Sequence, residues 1–162
     1  MHLAAELAGF FAAHAIWNVS DGGPLTPMLA YQAADGSRQL VRLGLDDLES
    51  AVAEGKSRLA TNAMNANDAV LLYDGFITID DEKLDAILVE IRTYLSPDSE
   101  AIIAIPYTPK ESGSFLVHKP KLLAWDNCDD FETNTVLQSF FNGVDSHEEG
   151  AKVWSDCLDE SK

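Results

Sequence analysis

The sequence predicts an α+β fold: an antiparallel sheet, built from a hairpin plus a three- to four-strand meander, packed against N-terminal, central and C-terminal helices. Three observations predict it. Apolar residues recur at helical spacing near both ends of the chain and once around residue 50. β-rich runs occupy residues 28–43 and 69–125. The turns joining consecutive runs are short enough to require antiparallel pairing. With 162 residues, 46% hydrophobic, one domain spanning 1–162 is expected. A chain of that size buries roughly two-thirds of its unfolded surface without a disulfide or metal staple.

Taken in order, Leu3, Leu7, Phe10, Phe11 and His14 give residues 2–16 the spacing of an amphipathic helix. Ser20 to Pro24 breaks it. Met28–Ala33 and Arg38–Leu43 flank Asp35-Gly36, a hairpin signal. Asp46 and Asp47 suit the positive start of a second helix, whose expected apolar face is Leu45, Leu48, Val52 and Leu59. Residues 69–79 form a long β-rich run in which Gly75 suggests a bulge. After a turn at Asp80–Lys83, residues 84–94 satisfy both strand and helix patterns. The β-branched middle (Ile87, Val89, Ile91) and the bracketing turns favour strand. The turn Ser96–Ser99 leads into a strand over Ala101–Tyr107, ended by Pro109. Phe115–Val117 and Leu122–Trp125 are short strand candidates. Asp129–Phe141 reads as a helix stopped by Gly143, and Ser146-His147-Glu148-Glu149 has the form of a capping box opening a last helix with Val153, Trp154 and Leu158.

Charge sets the function classes. Eleven Lys and Arg against 27 Asp and Glu leave a net charge of −16. Such a field repels phosphate backbones and anionic lipid, so nucleic acid and membrane surfaces are not expected partners. Between Asp126 and Lys162 stand ten acids and two lysines, half of the net charge. The expected location is the cytoplasm of a bacterial or archaeal cell. No basic region precedes the apolar start, no run approaches a membrane span, and Cys128 and Cys157 read as ordinary thiols.

Signatures of chemistry are absent. The chain holds no G-x-G-x-x-G, Walker, H-E-x-x-H, C-x-x-C or G-x-S-x-G pattern. No histidine pair has helical ligand spacing, and Asp126–Glu132 departs from a calcium loop at its third, sixth and twelfth positions. No metal or cofactor is therefore expected. His14 reads as a half-buried packing histidine. His118, beside Lys119 and Lys121, reads as a contact for the acidic tail of the same chain. Of Trp17, Trp125 and Trp154, an exposed member would mark an interface.

The expected function is docking of a basic partner protein, in the manner of an immunity protein or secretion chaperone. The expected contacts are Asp126, Asp129, Asp130, Glu132, Glu148 and Glu149, with Tyr107 on a proline-stiffened strand end. The alternative is a small-molecule-binding domain or enzyme with a pocket between sheet and helices. A homodimer is the third reading.

Overall fold

The computed structural model describes residues 1–95, 98–129 and 131–162. The chain is α+β, with an antiparallel sheet packed against helices. Helix α1 (His2–Val19) leads into β1 (Met28–Gln32), β2 (Arg38–Arg42) and α2 (Leu48–Thr61). The long strands β3 (Asp68–Ile79), β4 (Glu82–Thr93) and β5 (Ser99–Thr108) follow. A short 3₁₀ turn, β6 (Leu116–Val117), β7 (Lys121–Asp126), α3 (Thr133–Asp145) and α4 (Glu148–Asp156) complete it. The strand order is β2-β1-β3-β4-β5-β6, with β7 also on β5 and every named pairing antiparallel. Hairpin and meander are one sheet because β3 returns from α2 to pair with β1.

Residues 84–94 fall almost wholly in β4, as strand alternation implies. The turn before it uses Asp80 and Asp81, both at positive φ (50° and 66°), the two-residue geometry that matches strand twist. Gly75 makes no bulge: it pairs in register with Ala86. The register shift lies instead between Ile102 and Ile103, opposite β7. Part of the predicted turn at Ser96–Ser99, namely Ser96 and Pro97, lies outside the described residues, as does Asp130.

Helix α1 departs from its expected amphipathic pattern. Eleven of its 18 residues are buried, over most of its circumference, and Leu3, Glu6, Phe10, His14 and Trp17 form a less buried stripe that includes three residues of the expected apolar face. A helix apolar over that much of its surface belongs largely inside a core. It lies between the sheet face carrying Val70, Leu72, Ile87, Val89 and Ile103 and a cover formed by α3 and α4 through Val136, Phe140, Val144 and Trp154. Glycines set that spacing. A Cβ on Gly9 would sit 1.7 Å from the Phe140 carbonyl oxygen, and one on Gly143 would sit 2.0 Å from that of Glu6. Gly143 is therefore an interior residue of α3 and not its stop. The helix ends at Ser146, whose Oγ donates to the Gly143 carbonyl.

On the opposite face α2 covers Leu29, Ala69 and Leu71 with Ala51 and Leu59. Asp47 stands before its first turn, not within it, as the N-cap that accepts the Ser50 N–H at 3.0 Å. Leu45 and Leu48 are exposed, so the buried stripe is Ala51, Gly55 and Leu59. The expected capping box of α4 is replaced: His147 is the N-cap, and its Nδ1 accepts the Gly150 N–H at 2.9 Å. Leu158 lies beyond α4, where the tail bridges to Val117.

Candidate functional site

A notch of about 330 Å³ lined by Asp74, Asp85 and Glu111 opens where the first helix layer ends. Alternation turns Asp74, Asp85 and Tyr107 to the same face as Leu72, Ile87 and Ile105, the face that α1 covers. Helix α1 stops at Val19, and Gly22 to Pro24 form one wall. Gly22 has φ +91°, a conformation that favours glycine, and a Cβ there would lie 2.7 Å from Glu111 Oε1 and push that carboxylate aside.

Tyr107 is buried and donates to Asp74 Oδ1 at 2.8 Å. Burial, opposed by that hydrogen bond and aided by the charge of Asp85, lifts the Asp74 carboxyl above the ordinary carboxylate range. Burial, and next the bond to Asp74, drive the Tyr107 hydroxyl well above its usual value, so it stays a donor. Asp74, Asp85 and Glu111 have no lysine or arginine within ion-pair distance among the described residues. Nor do three acidic, histidine or cysteine side chains gather anywhere among those residues to hold a metal ion.

A second cavity, about 420 Å³, lies between α3, α4 and the tail. Leu137, Phe141, Val144, Trp154 and Leu158 line it, with Lys119, Asp145 and Glu160 also at its wall. It is apolar, and bounded by helices and tail rather than lying between sheet and helices. A third, small cavity of about 140 Å³ holds Asp126 and Asn127 with Arg92, which pairs with Glu100 at 3.0 Å.

The expected docking residues are not gathered. Asp126 stands at that third cavity, and Asp129 is exposed just beyond the buried Cys128. Exposed Glu132 caps α3 beside the start of α1, where Phe131 packs on His2. Glu148 and Glu149 are exposed in the first turn of α4, next to His147, which packs on His14. From His2 to His14 is about 18 Å along a helix. Tyr107 is buried rather than presented on an open strand end: β5 continues through Thr108, and the side chain lines the notch beside Asp74. Asp74, Asp85 and Glu111 were missed because three separate segments supply them. The one trace was Asp74 interrupting the apolar run at an inward position.

His118 is fully buried. Its Nε2 lies 2.9 Å from Thr108 Oγ1 and its Nδ1 3.2 Å from the Asp159 carbonyl, so it does contact the tail of its own chain. Both cysteines are free, and burial raises both thiols. Trp154 is buried, while Trp17 is 41% exposed. No helix among the described residues is long and apolar enough to cross a membrane. Compared with protein-family models, curated proteins and solved structures, the chain matches none.

Proposed function

We propose that this chain is a protein-binding domain that receives a basic side chain of its partner in the notch of Asp74, Asp85, Glu111 and Tyr107. The observation that carries the reading is three carboxylates lining one concavity with no lysine or arginine within ion-pair distance among the described residues. Asp85 already disfavours charge on Asp74, and an incoming ammonium or guanidinium would relieve that repulsion. Tyr107 holds Asp74 in place, so the acceptor is pre-organised before binding. The overall charge of −16 would steer a basic partner to the surface, and the notch would select a protruding lysine or arginine.

The test is calorimetric titration with a lysine- and arginine-containing peptide at two ionic strengths. Binding should weaken with salt and fall at least tenfold in the Asp85→Asn/Glu111→Gln double variant, while Glu148→Gln/Glu149→Gln leaves it within twofold. Equal loss in both double variants would show that only net charge matters and would remove the notch from the reading.

The apolar cavity beside Trp154 favours a second reading, a site for a small apolar molecule. Trp154 fluorescence should then respond saturably to an apolar probe, and Leu137→Asp should abolish the response.

A further inference from the structure

The structure assigns an oxyanion site to His14 and Arg42, of opposite sign to the notch and independent of it. The argument is an inventory of protons. The Gly150 N–H donates to His147 Nδ1 at 2.9 Å in a buried contact, so that nitrogen carries no proton. Neutral imidazole then holds its proton on Nε2. His147 Nε2 lies 3.1 Å from His14 Nδ1, which must accept. His14 in turn carries its own proton on Nε2, pointing outward.

What stands there is a second donor. Arg42 Nη2 is 3.3 Å from His14 Nε2, and a guanidinium has no lone pair to offer. Reversing the chain of donors does not help, because it moves the clash inward, onto the buried Gly150 N–H. Protonating His14 fails too, since both His14 Nδ1 and His147 Nε2 would then be donors. Burial, then the neighbouring His147 and Arg42, in any case lower the His14 pKa. Two donors therefore converge on one half-exposed spot with no acceptor between them.

The surroundings fit a small anion. Arg42 ends the edge strand β2, is exposed, and has no carboxylate within ion-pair distance among the described residues, whereas Arg38 on the same strand faces Glu6 at 3.7 Å. The ring of Trp17 packs edge-on to His14 at 5.8 Å and also against His147, fixing both imidazoles. Phe10 closes the far side of His147. A carboxylate or phosphate oxygen bridging His14 Nε2 and Arg42 Nη2 from the solvent side would accept from both, a charge-assisted arrangement.

The experiment uses the ¹⁵N-labelled full chain, with inorganic phosphate and acetate as probes at constant ionic strength set by potassium chloride. Without probe, His14 and His147 should both show the Nε2–H tautomer. Either probe should shift the His14 ring and the Arg42 side chain together and saturably, and Arg42→Met should weaken that response at least tenfold. Tighter binding of phosphate identifies a phosphate site, and tighter binding of acetate a carboxylate site. A proton on His14 Nδ1, shifts that never saturate with either probe, or a response unchanged in Arg42→Met overturns the assignment.

Discussion

Helices α1 and α2 cover opposite faces of the same sheet by different means. α1 meets α3 and α4 backbone to backbone, through Gly9, Gly143 and Gly150, and buries eleven residues. α2 buries three, and its glycine faces only the flexible tips of Leu71 and Leu43. A close helix crossing removes more apolar surface and leaves no slack, whereas a light cover can shift. Both proposed sites border the α1 layer: the acidic notch opens where α1 ends, and the His14 cluster sits where α1 meets α4.

The widest gap between the two regions should appear in Gly143→Ala. Its new Cβ would press on the Glu6 backbone, which cannot yield as a side chain can, costing about 3 kcal/mol or more. In a chain this long that is a fall in Tm of about 10 °C in a thermal melt. An unchanged Tm would mean that α1 and α3 can separate freely. Next is Leu59→Ala, which hollows the small cluster under α2 and should cost about 2–3 kcal/mol in denaturant titration. A loss as large as that of Gly143→Ala would erase the contrast.

Asp74→Asn tests the end of the rigid layer with a smaller effect. Because the folded state raises the Asp74 pKa, it binds that proton more readily than the unfolded chain does. The group therefore favours folding as pH falls through the raised pKa and opposes it as pH rises. The variant should melt slightly higher at pH 7, with the difference closing toward pH 4. A variant melting lower at pH 7 contradicts the sign. Smallest of all is Gly55→Ala, where a gain of roughly 1 kcal/mol in helix propensity is set against moving Leu71 Cδ1, 2.5 Å from the new Cβ. Stability should change by less than about 1 kcal/mol by chemical denaturation.

Periodicity made most elements legible. The hairpin around Asp35-Gly36, the Asp80-Asp81 turn and the strand nature of 84–94 follow from local residues, because turn chemistry and alternation act over a few positions. Gly75 and Gly143 misled for one reason: a glycine can answer a distant neighbour, Leu88 or the Glu6 backbone, as well as its own φ. The capping histidine was equally hidden. Ser146-x-x-Glu149 has the local form, but His147 caps the helix while its other nitrogen is held by His14.

By itself the sequence determined the α+β class, the antiparallel pairing of neighbouring strands and the net charge of −16, since each depends on composition or on residues near in the chain. Only tertiary structure decided that β3 returns to β1, that α1 is buried over most of its circumference, and that Asp74, Asp85 and Glu111 share one notch while the expected docking acids do not. Those outcomes are contacts between segments far apart in sequence, set by packing that no local pattern encodes.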